Sequence, residues 1–460
     1  MDRVFIRNEI INELKKGNNV AVIAFTGWGK TRMAFEVAIE LARQGHRVGV
    51  LFPTLTVALK KWQELLSLLQ NVSPPPTAIL TGGAQQFCTY RWQYPQRFCG
   101  RCPLRRSWQH AETPPALTYS ELDKIVPDDT CGYWAQEELF PRYNIILGHY
   151  GRAVKILPNV DYAVWDEAQE LFIPSLRSIS LSEIATLLGV EVSELLTVDV
   201  IKEYAEMRLI GAEPAKEDAI LAILQMLRSS ACWIESSELH CMELRKMPSG
   251  IPSLMLTATP PPGWPPEGWG RKIEIQPPVR PRAFVEPEAR FYYKDNYEGI
   301  GLQTHLVIQW LKKKFGARCI IIFATSSVQR VLKWTLPIDV SQEPPEDESQ
   351  IPPSGVVVVD AWGRFRVGVD IRWCDAAVLT WPSLHITARR RLRAEGKNPD
   401  IAELLLSVQH AGRIMRPRPG ETYERMLMER IVTMIDGRFW LYKEYLERFF
   451  KIEELPQNLS

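Results

Sequence analysis

Residues 20–31 read VAVIAFTGWGKT. A strand-sized apolar run, residues 20–25, leads into a turn that carries Gly27 and Gly29. From Thr31 to Arg43 the pattern becomes helical, with Met33, Ala34, Val37, Ala38, Leu41 and Ala42 on one face and Gly45 as the stop. A glycine-bearing turn between strand and helix aims backbone N–H groups and the positive helix end at phosphates. In that geometry Thr26, Gly27, Trp28 and Gly29 form the cradle of an ATP site. Lys30 reaches the β- and γ-phosphates, and the Thr31 hydroxyl holds Mg²⁺. Ala24 stands where the general pattern has its first glycine, and the motif gives the bulky Trp28 no role.

Working outward, short β-branched runs alternate twice with amphipathic stretches. The first set of strands is 20–25, 48–52, 144–147, 162–165 and 254–256; the second is 319–323, 356–359 and 376–379, with helices near 300–315, 327–335 and 400–416. Buried strands separated by helices predict parallel α/β sheets, here in two similar lobes. Two stretches interrupt the first lobe. Residues 84–140 hold four cysteines and many prolines, and residues 172–250 look helical. The expected organisation is therefore lobe one at 1–83, 141–171 and 251–285, a cysteine domain at 84–140, a helical insertion at 172–250, and lobe two at 286–460.

YAVWDEAQ, residues 162–169, is an apolar strand that ends in two carboxylates. At a strand's C-terminal edge Asp166 can join the Mg²⁺ shell and Glu167 can orient or deprotonate water. Alone this is a weak signal; after a phosphate loop it becomes specific. FPTLT at 52–56, LTATP at 256–260, GRFRVGVDI at 363–371 and QHAGRIMR at 409–416 complete an ordered set. Gln409, Arg413 and Arg416 are spaced to share one helical face. Such a face is normally solvated or ion-paired. Turned toward ATP in the other lobe, it neutralises transition-state charge.

Composition bounds the rest. The 460 residues carry 46% hydrophobic and 24% charged side chains at a formal charge of +1, which excludes a globally basic nucleic-acid binder but allows local basic grooves. No signal peptide and no membrane-spanning run is evident, so a cytoplasmic protein without a membrane partner is expected. The eight cysteines then read as thiols or metal ligands rather than disulfides. Cys88, Cys99, Cys102 and Cys131 suit four-thiolate ligation, and spacing alone leaves zinc and an iron–sulfur cubane open. Cys232, Cys241, Cys319 and Cys374 read as small buried residues. Arg91, Arg97 and Arg101 interleave with Tyr90, Trp92, Tyr94 and Phe98. That mixture suits phosphates and unpaired bases, or else a tightly packed small domain.

The order of these strings resembles superfamily 2 helicases, and the cysteine stretch between FPTLT and DEAQ resembles their XPD/DinG group. The resemblance spans nearly the whole chain. It implies two RecA-like lobes, ATP hydrolysis with Mg²⁺, a [4Fe–4S] cluster on the four cysteines, with zinc the lesser option, and a helical arch before LTATP. It further implies 5′→3′ movement of a monomer on single-stranded DNA, with Thr54 on the strand, Gly368 and Asp370 in the nucleotide-sensing segment, and the cysteine domain at a DNA fork. Gln169 stands where the group has histidine, Val367 where it has glutamate, and the arch is short. Those departures keep open a translocase that remodels complexes without separating strands. A non-catalytic nucleic-acid scaffold and an RNA substrate also stay open.

Overall fold

The computed structural model describes residues 2–87, 114–229, 231–235, 237–243, 250–287, 297–335, 340–341, 354–363 and 371–459. Two all-parallel sheets form the two lobes, as the alternating strand and helix pattern predicts. In lobe one the strand order is Gly270–Ile275, Asn19–Ala24, Ser253–Thr257, Tyr162–Asp166, Val48–Phe52, Ile145–His149, Ala78–Leu80 and Ala116–Thr118. In lobe two it is Val340–Ser341, Gly355–Asp360, Cys319–Ala324, Ala376–Leu379, Ile431–Met434, Arg282–Val285 and Lys451–Glu454.

Both faces of the lobe-one sheet are buried because successive side chains of a strand point to opposite faces. Val20 and Val22 pack with Ile6, Ile10, Met33 and Val37 on one face, while Ala21 and Ile23 pack with Trp165, Tyr150 and Trp264 on the other. The helix Lys30–Arg43 buries all six residues of its expected face. Gly45, at φ +87°, follows its end. Register aligns Val22, Leu256 and Asp166 in one row, so the phosphate loop, LTATP and DEAQ leave the sheet at the same C-terminal edge.

Four expectations need correction. The strand Arg282–Val285 pairs with Ile431–Met434 and Lys451–Glu454, so lobe two begins before residue 286. The crossing runs through the proline-rich QPPVRP at 276–281. The strand Ala116–Thr118 joins the lobe-one edge, so lobe one resumes inside the stretch assigned to the cysteine domain. The insertion is not wholly helical: Ser175–Ser180, Glu238–Glu243 and Ala231–Glu235 form an antiparallel sheet beside the helices Leu181–Leu188, Val198–Leu209 and Pro214–Ser229. Finally, Cys232 pairs with Cys241 as a disulfide, and the Cys319 and Cys374 sulfurs lie side by side, in place of isolated buried thiols. Cys232 lies opposite Cys241 in the hairpin, and Cys374 lies just before the strand Ala376–Leu379 that pairs with Cys319–Ala324.

Among the described residues, no helix is long and apolar enough to cross a membrane.

Candidate nucleotide site and inter-lobe cleft

The loop after Asn19–Ala24 needs its glycines twice over. Gly27 and Gly29 adopt φ +93° and +94°, a region that costs an L-residue roughly 1–2 kcal/mol. A Cβ on Gly27 would sit 2.8 Å from Tyr423 Cε2 of lobe two, and one on Gly29 would sit 2.8 Å from Arg3 Nη1. Arg3 also explains part of Trp28: its guanidinium lies 5.5 Å from the indole centroid while Nη2 donates to the Gly29 carbonyl at 3.1 Å. Glu36 accepts from Arg3 Nε at 3.3 Å, so the N-terminal helix Arg3–Lys15 straps the loop. Nothing in the local motif signals Arg3, which lies far upstream.

Lys30 opens the helix and is buried. Its Nζ donates to the carbonyls of Ala24 at 3.1 Å and Phe25 at 3.4 Å. Burial holds its pKa below the usual lysine value, opposed by the nearby Glu167 carboxylate. Thr31 Oγ1 donates to Asp166 Oδ2 at 2.7 Å, joining the phosphate loop to the acidic motif. Asp166 Oδ1 is buried with no hydrogen-bond partner. Burial first, and then the Glu167 charge, push the Asp166 carboxyl up to about 6. Two hard oxygens at a helix N-terminus, one of them orphaned, fit a site that would hold Mg²⁺.

Glu167 adopts φ +57°, one of two non-glycine residues at positive φ among those described. Left-handed backbone at a non-glycine residue is strain of the kind found at functional sites. Here it turns the chain sharply from the strand into the short 3₁₀ segment Ala168–Leu171. Burial alone would raise the Glu167 pKa, but Lys30, Arg413, Gln169 and Arg416 together hold it below the usual value. Gln169 hydrogen-bonds Glu167 through Nε2. Its Oε1 accepts from Thr257 Oγ1 at 2.6 Å, and Thr257 Oγ1 in turn accepts from the Thr259 N–H at 3.0 Å. The glutamine thus couples DEAQ to LTATP.

The helix Pro399–Ile414 of lobe two faces this edge. Gln409 Nε2 donates to Glu170 Oε1 at 2.8 Å, and both residues are buried. Glu170 is not signalled by the sequence: it follows the acidic motif by one residue and has the look of an ordinary surface carboxylate. Arg413, also buried on the helix, bears on Glu167. Arg416 bears on Lys30 and Glu167 but not from the helix face expected: the helix ends at Ile414, with Met415 as its cap. Pro417 dictates this, because a residue before proline avoids the α region.

Thr54 caps the helix Leu55–Leu69, accepting from Val57 N–H at 3.3 Å, and stays exposed. Cys131 is the N-cap of the helix Gly132–Leu139 without a side-chain capping bond. Cys88, Cys99, Cys102, Arg91, Arg97, Arg101, Val367, Gly368 and Asp370 lie outside the described residues. Ile371, just after them, donates its N–H to the Arg413 carbonyl at 2.9 Å.

A DEAD/DEAH box helicase model matches residues 6–92, a span that holds the phosphate loop and FPTLT. Over the whole chain the likeness is structural. A solved XPD helicase superposes with a TM-score of 0.68 at 15% identity, covering 98% of this chain and 99% of the other. The chain has the XPD helicase fold. An apo XPD superposes at 0.59 with 14% identity over 98% and 100%, and S. tokodaii Xpd4 at 0.57 with 11% identity over 99% of each chain. No curated protein matches by sequence. The XPD helicase fold accounts for the two RecA-like sheets and for the motif edges that meet between them.

Proposed function

We propose that the protein is an ATP-dependent DNA helicase that moves 5′→3′ on single-stranded DNA and separates duplex. The observation that carries the reading is the meeting of Thr31 and Asp166 at 2.7 Å beneath Glu167, with Arg413 and Arg416 of the second lobe bearing on the same carboxylate. Such a site assembles fully only when two lobes close on one nucleotide.

In this mechanism the loop N–H groups and Lys30 bind the phosphates. Lys30 exchanges its bonds to the Ala24 and Phe25 carbonyls for phosphate oxygens, and the buried ammonium gains a charged partner. Thr31 and Asp166 hold the metal position; Mg²⁺, when bound, neutralises phosphate charge there. Glu167, kept ionised by Lys30 and Arg413, accepts the proton of the attacking water. Arg413 and Arg416 stabilise charge on the transferring phosphoryl group. Loss of the γ-phosphate removes their partner and releases lobe two, which pulls on Gln409 and hence on Glu170. Gln169 passes the same change to Thr257 and LTATP, so the glutamine preserves a link where the XPD/DinG group has histidine.

Cys131, the N-cap of the helix Gly132–Leu139, suits a metal ligand. We assign it with Cys88, Cys99 and Cys102 to a [4Fe–4S] cluster, which would brace the cysteine domain at the fork beside Arg91, Arg97 and Arg101. Thr54, Gly368 and Asp370 keep the roles that the resemblance implies, and the working unit is a monomer.

The test is unwinding of 5′-tailed against 3′-tailed duplexes by anaerobically purified protein, with iron and zinc quantified. Strand separation on the 5′-tailed substrate, lost in Lys30→Ala, is expected. Single-strand-stimulated ATP turnover without strand separation would instead identify a remodelling translocase.

A further inference from the structure

The strand Ile145–His149 turns at its end into a 3₁₀ segment, Tyr150–Arg152, which His149 caps by accepting from the Gly151 N–H through Nδ1 at 3.1 Å. The turn brings Tyr150 against the end of the strand Tyr162–Asp166. Its ring packs on Trp165 with centroids 5.3 Å apart, and both residues are buried. Its hydroxyl donates to the Asp166 carbonyl at 2.5 Å.

That carbonyl sits where the sheet lets the chain go. Pairing with Val48–Phe52 stops at Trp165, and pairing with Ser253–Thr257 stops at Asp166. The carbonyl belongs to the peptide plane that joins Asp166 to Glu167, and holding a planar peptide limits the rotation at both its ends. Glu167 follows directly, at φ +57°. Left-handed backbone at such a residue persists only where the surroundings over-determine it. Here the Tyr150 hydroxyl acts on the backbone before Glu167, while Gln169 bonds its carboxylate. Glu167 is thus gripped at both ends, and one grip comes from a residue in none of the motifs that border the nucleotide.

Tyr150 is itself placed from behind. Arg152, two residues on, is buried, and its Nη1 meets Glu137 Oε1 at 3.1 Å. The guanidinium lies 4.4 Å from the Tyr133 ring centroid, while Nε and Nη2 are buried without acceptors. Lys155 shares Glu137 at 3.1 Å. Tyr133 and Glu137 both belong to the helix Gly132–Leu139. A buried charge that loses its partner is strongly destabilising, so this pair ties the segment 150–152 to that helix.

We infer that Tyr150 is a positioning residue for ATP hydrolysis. Its hydroxyl sets the Asp166–Glu167 peptide so that the Glu167 carboxylate faces the attacking water, and Glu137, through Arg152, sets Tyr150. The inference rests on the hydrolytic reading above and extends it to residues outside the motifs.

The test measures ATP turnover, fluorescent-nucleotide affinity and hydrogen exchange for the parent, Tyr150→Phe, Glu137→Gln and the double variant. Tyr150→Phe keeps the ring on Trp165 and removes only the donor. It should lower kcat about tenfold while the nucleotide Kd stays within about twofold of the parent's, because the lost contact serves the chemical step and not binding. In the free protein it should also speed exchange at Glu170 and Phe172, whose N–H groups bond the Glu167 and Gln169 carbonyls at 3.0 and 2.9 Å in the next turn. Glu137→Gln should lower kcat in the same sense. The double variant should lose no more than Tyr150→Phe alone, since both changes act on one contact. Unchanged kcat in Tyr150→Phe overturns the role. So does a Kd that rises in step with the loss of kcat, the mark of a general loosening. Losses that multiply in the double variant overturn the Glu137 arm. A parent without turnover that Lys30→Ala abolishes overturns the hydrolytic reading and this inference with it, an outcome distinct from a defect confined to the variants.

Discussion

At Gly27 two independent constraints fall on one residue. Alanine there meets both the left-handed backbone penalty and the Tyr423 ring 2.8 Å away. Gly27→Ala is expected to weaken ATP binding about tenfold or more, read by fluorescent-nucleotide titration, since each ~1.4 kcal/mol is a factor of ten. Adding Tyr423→Ala should recover only part of the loss, because the ring is removed and the φ penalty stays. Full recovery would mean that the contact with lobe two alone demands the glycine. Gln169 supports a different prediction. Its two side-chain bonds join Glu167 to Thr257, so Gln169→Ala should lower the DNA-stimulated ATPase rate about tenfold more than the basal rate. Equal losses under both conditions would show that Gln169 serves hydrolysis and not coupling.

Elements follow from the sequence where period and punctuation agree. The insertion helix Leu181–Leu188 has a complete capping box, Ser180 with Glu183, and stops at Gly189 with φ +64°. Ser180→Ala should cost the insertion about 0.5–2 kcal/mol, visible as faster hydrogen exchange in 181–188 with lobe one unaffected. Equally fast exchange in both would mean that the insertion does not unfold as its own unit. The strands hardest to read are those whose pattern is not apolar. Lys451–Glu454 and Gly270–Ile275 are edge strands rich in charge, and edges are where charge protects a sheet from further pairing. Ile431–Met434 is buried and central, but four residues give no period to read. The insertion sheet is obscured by neighbouring helical pattern. In the site, the phosphate loop, Asp166 and Glu167 are legible because one local string carries each. Arg3, Glu170 and Tyr423 are not, since only the folded chain brings them there. Arg416 is misplaced by a helical count that ignores Pro417.

Among the described residues, Gln409 to Glu170, Tyr445 to Pro260 and Arg448 to Glu274 are polar contacts between the lobes, and the proposed motor would break and remake contacts of this kind in each cycle. Within lobe two, Asp375 accepts from the N–H groups of Arg318 and Cys319 at 2.8 and 3.1 Å and from Arg418 at 2.7 Å, tying two strand starts to the segment after Arg416. Burial alone would raise its pKa, but Arg418 and the two N–H groups outweigh it and hold the carboxyl below its usual value. A depressed carboxylate contributes stability that is present above the unfolded value and is lost as pH falls through the folded one. Lobe two should therefore lose this part of its stability below about pH 4, and Asp375→Asn should lower the Tm at neutral pH while narrowing its decline in acid. Between the lobes, Tyr445 donates its hydroxyl to the Pro260 carbonyl at 2.7 Å, both buried, and so pins lobe two to the loop that ends LTATP. Tyr445→Phe keeps the ring and leaves that carbonyl without its donor, at a cost of about 1–3 kcal/mol. If the pin belongs to the closed form, the variant should bind ATP more weakly and require more nucleotide to reach half-maximal DNA-stimulated turnover, with its Tm changed little. A lowered Tm with unchanged nucleotide dependence would instead make Tyr445 a fixed hinge that persists through the cycle.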